Sequence, residues 1–345
     1  MYKARGNPRS GGRPTRNDVA KHANISGATV SRVLSGRLDV QIAPETRARV
    51  LEAAAELGYH PNLAARALVT GRTGLVGFWM DLRYSRYRGH VLDQMRELVG
   101  ATDLALAVMD VDDEYRVDRS FDRALGVPVD GIIAFDNSIS VETFGREHDR
   151  LAPKKPFVSM GAYWSKEQSF VGINLKAGAE AAMDHLLATG RRRIVYMAPF
   201  NSGLDSSGPR FEAYEERMKA AGHATATVLV ERVSFQAIKD ALADYIASNP
   251  KPDAILCMND DLAIVSTYVL PALGFQVGPD IALVGFDGIE EGEHSPCPIT
   301  TVRQPIEEMC VTALEFLRAQ MDDSSAPFRQ RILTPELVIR ESSRP

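Results

Sequence analysis

Residues 15–35, TRNDVAKHANISGATVSRVLS, confine the start of the chain to two short capped helices joined by a tight turn. Thr15 precedes a helical run with Asp18 three positions on. That is the spacing of a capping box, which satisfies amide donors that a helix start leaves orphaned. Val19, Ala20 and Ala23 fall on one side of the helix. The turn Ala23-Asn24-Ile25 follows, and Ser26 offers a second N-cap. Beyond it Val30, Val33 and Leu34 cluster on one face. At about 100° per residue Ala28, Ser31, Arg32 and Ser35 take the opposite face. A surface helical hairpin would satisfy that much, but a third strong helical pattern follows over 44–57. Pro44 suits its first turn, Glu45 complements the dipole, Val50, Leu51, Ala54 and Leu57 make the expected buried stripe, and Gly58 closes it. Residues 14–60 therefore read as an all-α helix-turn-helix headpiece. A helix lying in a DNA major groove needs what the outward face has: little bulk, hydroxyls and methyls for base edges, and one forked donor.

Charge divides the chain the same way. Residues 1–72 hold 12 lysines and arginines against 5 acids, and the remainder holds 28 against 40, so the overall −5 covers a basic head on an acidic body. A basic head is the electrostatic footprint of nucleic-acid binding. Residues 1–13, a Gly/Arg/Pro stretch, read as a disordered basic tail. Residues 61–72 contain LAARALVTG after a possible cap at Asn62, good helix formers over only about two turns, too short to persist alone. Such a segment fits a hinge helix that folds against a partner, with Leu68 as a wedge for a minor-groove step. It equally fits a plain linker with Leu68 packed on the body.

From 73 onward strand-like runs alternate with amphipathic helical stretches. The runs are GLVGFWM (74–80), LALAVMD (104–110), GIIAF (131–135), PFVSM (156–160), RIVYMA (193–198), AILCM (254–258) and IALVGF (281–286). Helical stretches include 175–189, 210–221, 235–248 and 304–321. Short apolar strands separated by helices imply parallel sheets covered on both faces. They are too many for one compact sheet, so two similar subdomains are expected. RILTP and ELVIR near the end imply that the chain crosses between them more than once. Ligands of open α/β sheets sit beyond the carboxyl ends of strands. Trp79, Asp81, Asp110, Phe135, Asp136, Asn259, Asp260 and Asp287 occupy such ends.

Catalytic signatures are missing from the sequence. No G-x-G-x-x-G follows a strand, and there is neither a phosphate loop nor a G-x-S-x-G. The seven histidines show no metal spacing, and the three cysteines no ligand pairing. No cofactor, no metal and no enzymatic activity are expected. Cys257 reads as a buried thiol. No run reaches membrane-span length and the N-terminus lacks a signal-peptide core, so the cytoplasm is the expected compartment.

NDVAKHANISGATVSRVLSG and PETRARVLEAAAELGYHPNLAARAL closely resemble the LacI/GalR family of bacterial repressors. VPVDGIIAF, PFVSMG, AGAEAAMDHLLATGRRRIVYM, SSGPRFEAY, AILCMND, ALVGFDG and ITTVRQP look like successive family landmarks, from about residue 13 to the end. The resemblance implies an all-α headpiece plus an α/β periplasmic-binding-protein-like core of two doubly wound parallel-sheet subdomains. The N-subdomain would span about 73–173 and 305–323, the C-subdomain about 174–304 and 324–345. It implies a homodimer on near-palindromic double-stranded operator DNA, contacted by Thr15, Ser26, Gly27, Ala28, Thr29, Ser31 and Arg32 from the head. Asn62, Ala65 and Leu68 would contact it from paired hinge helices. A small effector, a sugar or sugar derivative, would meet Asp81, Ser206, Arg210, Asn259 and Asp287.

Plainer roles stand beside these. Arg210 can pair with Glu212 or Glu215, Asn259 and Asp260 can cap their helix, Asp287 can cap the turn before Gly288, and Trp79 can stack on a ligand or lie in the core. Ala43 stands where the family often has a capping Ser or Thr, Asn174-Leu175 replaces a usual Asp-Asn, and Gly288 replaces a frequent second aspartate. The expected function is a transcriptional regulator whose operator affinity a metabolite controls. A sugar-binding transport protein shares the body architecture but would need an export signal and no helix-turn-helix. A nucleotide-dependent enzyme would need a phosphate-cradling loop.

Overall fold

The computed structural model describes residues 14–34, 42–59, 71–83, 85–111, 123–136, 155–162, 164–200 and 208–344. The basic tail, Ser35, Asn62, Ala65, Leu68 and Ser206 lie outside them. The chain divides into two compact units at Gly74/Leu75.

The first unit holds α1 (Arg16–Ala23), α2 (Gly27–Leu34) and α3 (Pro44–Leu57). Val19, Ala23, Val30, Val33, Val50, Ala53 and Ala54 form its core. The expected stripe on α3 is corrected at one position: Leu51 is 51% exposed and Ala53 is buried in its place. Positions 50, 53, 54 and 57 follow the i, i+3, i+4, i+7 rule, and 51 lies about 100° to the side. Pro44 starts α3 without a side-chain cap, as Ala43 dictates. Arg49 compensates by donating from Nη2 to the Ala23 carbonyl at 2.6 Å, tying α3 to the end of α1.

The second unit carries two six-stranded sheets. The first contains β1 (Leu75–Met80), β2 (Ala105–Asp110), β3 (Gly131–Phe135), β4 (Phe157–Gly161), β5 (Ser169–Ile173) and β11 (Gln330–Leu333), in the order β11-β5-β4-β3-β1-β2. The second contains β6 (Ile194–Pro199), β7 (Thr227–Val230), β8 (Ala254–Cys257), β9 (Ala282–Asp287), β10 (Thr300–Arg303) and β12 (Glu336–Val338), in the order β12-β10-β9-β8-β6-β7. Inner strands such as β3, β4, β8 and β9 are buried throughout, as strands covered on both faces must be. Helices α4 (Arg86–Gly100) and α10 (Ile306–Asp322) pack with the first sheet. Helices α5 (Leu175–Ala188), α6 (Pro209–Ala220), α7 (Phe235–Ser248), α8 (Asp260–Ala272) and the short α9 (Glu290–Glu293) belong with the second.

One expectation needs correction. Residues 324–345 do not all join the second half: β11 pairs in parallel with β5 of the first sheet, and only β12 enters the second sheet. The two sheets are parallel as expected but for that edge strand, β12, which runs antiparallel to β10. Direction explains this. β10 runs toward a crossing into the first half and β12 runs away from one, so neighbours there must oppose.

The crossings are tightly seated. A Cβ on Gly178 of α5 would lie 2.6 Å from Val302 Cγ1 on β10 and 2.7 Å from Pro335 Cγ on the last crossing. Only a glycine lets the helix sit flush on both. Gly178→Val should therefore destabilise the body by about 1–3 kcal/mol, the usual cost of overpacking. A thermal melt checks this, and an unchanged midpoint would contradict the packing.

Candidate nucleic-acid interface and ligand cleft

In the head, Thr15 and Asp18 form the reciprocal capping box that their spacing predicts. Thr15 donates its amide and hydroxyl to Asp18 Oδ2 at 2.8 and 2.6 Å, and the Asp18 amide returns a 3.4 Å bond to Thr15 Oγ1. The capped hydroxyl holds Asp18 below its ordinary carboxylate range. Ser26 caps α2 by accepting the Thr29 amide at 3.1 Å, and its hydroxyl lies 2.8 Å from that of Thr29. With Val30 and Val33 buried, α2 turns Ala28 and Arg32 fully outward, with Gly27, Thr29 and Ser31 half-exposed beside them. A contiguous strip of small side chains, hydroxyls and one guanidinium results.

In the body, the strand ends gather a buried polar cluster. Asp287 ends β9 with φ +120°, a sparsely populated conformation for a side-chain-bearing residue. Its Oδ1 accepts Gln304 Nε2 at 2.8 Å, and Gln304 Oε1 accepts the Tyr87 hydroxyl at 2.9 Å. Arg210, in the first turn of α6, donates from Nη1 to the Met258 carbonyl at 2.9 Å and lies over the Phe286 ring at 4.9 Å. Asn259 caps α8, its Oδ1 taking the Leu262 amide at 3.0 Å. Asp260 takes the amides of Gly288 (2.8 Å) and Ile289 (3.0 Å) and the Thr301 hydroxyl (2.7 Å). A Cβ on Gly288 would come within 2.5 Å of Arg303 Cα, and its φ is +77°. That is why this chain cannot carry a second aspartate there.

Burial dominates the electrostatics. It raises Asp260 to about 7 against the hydrogen bonds from Thr301, Ile289 and Gly288. Burial and then the Asp260 charge push Asp287 well above the carboxylate range, with Arg210 and Gln304 opposing. The cluster thus brings Arg210 and Asp287 together, with Asn259 at the adjoining helix start. Neither Arg210 nor Asp287 takes its plainer role: Arg210 bonds Met258, and Asp287 bonds Gln304.

Asp81 sits in a different setting. Burial opposes its charge, but the Arg83 side chain and amide, at 2.6 and 2.8 Å, hold it below the ordinary range. It lines a concavity of about 360 Å³ with Arg83, Arg86, Arg88, His90 and Glu291. Trp79 is fully buried with Val129 and Ile132, so it is core. Cys257 is buried and its thiol is pushed up by that burial. Sequence reasoning did not assign Gln304, Asp261 or Phe286 to this polar cluster. Gln304 lies within the quoted ITTVRQP landmark, which was the available signal. Among the described residues no cluster of His, Cys, Asp and Glu is arranged to hold a metal ion, and no helix is long and apolar enough to cross a membrane.

A helix-turn-helix head joined in one chain to a two-sheet ligand-binding fold defines a DNA-binding transcriptional regulator. Residues 15–62 match the family described as bacterial regulatory proteins, lacI family, and residues 183–343 match the periplasmic binding protein-like domain. The chain is 30% identical to the HTH-type transcriptional regulator CelR of Thermobifida fusca, covering 96% of this chain and 98% of that one. It is 27% identical to the ribose operon repressor of Halalkalibacterium halodurans over 95% and 96% of the two chains. Its fold matches the lac repressor dimer bound to operator and the anti-inducer ONPF, with a TM-score of 0.78 at 21% identity, over 96% of this chain and 99% of that one. A CelR–cellobiose complex matches with a TM-score of 0.63 at 25% identity, over 96% and 100%. The chain belongs to the lacI family of bacterial regulatory proteins.

The raised carboxylates give a pH signature. Folded Asp287 holds its proton above the ordinary value of 3.8, so its burial costs nothing below that value and costs stability as pH rises above it. The melting temperature of Asp287→Asn minus that of the unchanged protein should therefore grow more positive from about pH 4 to pH 7. A flat or falling difference would contradict the shift.

Proposed function

We propose that this regulator is a repressor whose affinity for its operator is set by a small metabolite held in the body cleft. The single observation that carries the reading is the pairing, within one chain, of an outward recognition strip on α2 with the Arg210–Asp287 cluster at strand ends. The strip of Ala28, Thr29, Ser31 and Arg32 suits a major groove: Arg32 offers a fork for guanine or phosphate, and the small groups leave room for base edges. Thr15, Ser26 and Gly27, at the two helix starts, contact phosphates in this reading.

Arg210 donors beside an Asp287 acceptor suit a ligand rich in hydroxyl groups, with Asn259 contributing its amide nitrogen and Ser206 a hydroxyl. A sugar or sugar derivative is the proposed class, in keeping with relatives whose names carry ribose and cellobiose. Asp81 stands as a contact at the margin of that site. The protein acts as a homodimer in this reading. Exposed Tyr268 on α8 and Val108 on the edge strand β2 offer apolar surface for a second copy. Asn62, Ala65 and Leu68 belong to hinge segments that pair over the centre of the operator, and effector binding changes their spacing. Operator must then weaken or strengthen effector binding by the same factor that effector changes operator binding.

Gel retardation with duplex fragments from its own promoter neighbourhood, at low salt, tests the reading. Retardation competed poorly by unrelated DNA is expected, and failure on every fragment, with and without candidate metabolites, would overturn it. On the retarded fragment Arg32→Ala should cost roughly 1–3 kcal/mol if the arginine reads a base. Leu68→Ala should weaken that fragment far more than unrelated DNA, and equal losses on both would remove the wedge role.

A further inference from the structure

Arg86 and Tyr87, consecutive residues in the first turn of α4, both reach from the first half of the body to the second. The Arg86 guanidinium pairs with Asp261, and its backbone amide donates to the same carboxylate at 3.2 Å. The Asp261 side chain is 6% exposed and that of Arg86 30%. The Tyr87 hydroxyl bonds Gln304, which bonds Asp287. One turn on, His90 Nε2 lies 3.0 Å from the Glu291 carboxylate. Three residues of one helix thus grip the start of α8, the residue that follows β10 and the start of α9.

We infer that the first turn of α4 is a clasp: Arg86 on Asp261 holds the two halves of the body together through protein contacts alone, and Tyr87 on Gln304 ties that grip to what Asp287 is bonded to. The second part rests on the proposed effector role of Asp287, and the first does not. The grip is specific rather than strong. Closing it takes two ions largely out of water, and opening it rehydrates both, so most of the Coulombic gain is offset. Such a contact can be released without unfolding anything. The Tyr87 arm supplies the release. A ligand hydroxyl that bonds Asp287 Oδ1 competes with Gln304 Nε2. Once displaced, Gln304 no longer fixes the buried Tyr87 hydroxyl, which cannot stay unpaired without cost. The start of α4 must then shift or repartner, and Arg86 moves with it.

The test uses the full chain with neither DNA nor metabolite. Spin labels are attached at Glu97→Cys on α4 and Lys219→Cys on α6, both exposed, with the half-exposed Cys297 changed to Ser. Labelled protein is diluted with unlabelled protein so that pulsed dipolar spectroscopy reads distances within one chain. Asp261→Ala should move the distribution to longer distances and broaden it. Asp261→Asn, which keeps an acceptor for the Arg86 amide but loses the ion pair, should fall between. Tyr87→Phe should shift it in the same direction by less. A distribution for Asp261→Ala superimposable on that of the parent overturns the clasp. If circular dichroism shows that Asp261→Ala does not fold, Arg86→Gln is read by the same criterion. Because no operator enters the measurement, failure of DNA retardation leaves it interpretable. An unshifted distribution in a protein that does retard DNA removes the clasp alone.

Discussion

One buried carboxylate organises the polar cluster at the strand ends. Asp260 joins the first turn of α8 to the turn after β9 and to β10, through two backbone amides and the Thr301 hydroxyl. Without those bonds the turn would have no reason to hold Asp287 at φ +120° with Gly288 at +77° behind it. Strain of that kind, of order 1–3 kcal/mol, persists only where surroundings over-determine it. Asp260 is thus committed to architecture, while Asn259 caps α8, Asp261 pairs with Arg86 and Asp287 bonds Gln304. The arrangement also sets three carboxylates close together in a dry site. Burial raises Asp260 and Asp287, Arg210 opposes the rise at Asp287, and Arg86 pairs with Asp261.

The head depends on different physics. It is small, and among the described residues its fully buried side chains are alanines and valines, with Ile25, Leu34, Ile42, Leu57 and Tyr59 packed against them. Caps therefore carry an unusual share of its definition: the Thr15–Asp18 box, the Ser26 cap and the reach of Arg49 to Ala23. The Ser26 cap sits at the start of α2, the helix that presents Ala28 and Arg32. The positive charge concentrated there draws a polyanion, and the net negative body discourages the rest of the chain from lying along phosphates.

Much of the fold was legible because periodicity and capping are local. The capping box, the opposed faces of α2, most of the parallel strands and helices such as Phe235–Ser248 follow from spacing. Three strands escaped. β5, SFVGI, and β10, TTVR, carry polar residues because their side chains make tertiary bonds: Ser169 to the Arg329 amide, Thr301 to Asp260. β7 is four residues long and alternates exposure at a sheet edge. Arg210, at a helix start, and Asp287, at a strand end, could be singled out from the motifs around them, and the structure brings them into one polar cluster. Asp81 satisfied the same rule yet is drawn into the arginines that follow it, an outcome local spacing does not reveal. Tyr87 and Gln304 are 217 positions apart, and nothing in either neighbourhood announces their bond.

Effector control requires that occupancy of the cleft and affinity for DNA be two sides of one equilibrium. The most direct measurement titrates a fluorescently labelled promoter duplex with the protein, by anisotropy, in the presence of each sugar or sugar derivative that raises the melting temperature of the body. At least one such compound should change the operator Kd by about fivefold or more, within the range of ordinary allosteric coupling, and Asp287→Ala should abolish the change. Compounds that bind the body yet leave the Kd for operator unaltered would contradict a metabolite-controlled repressor.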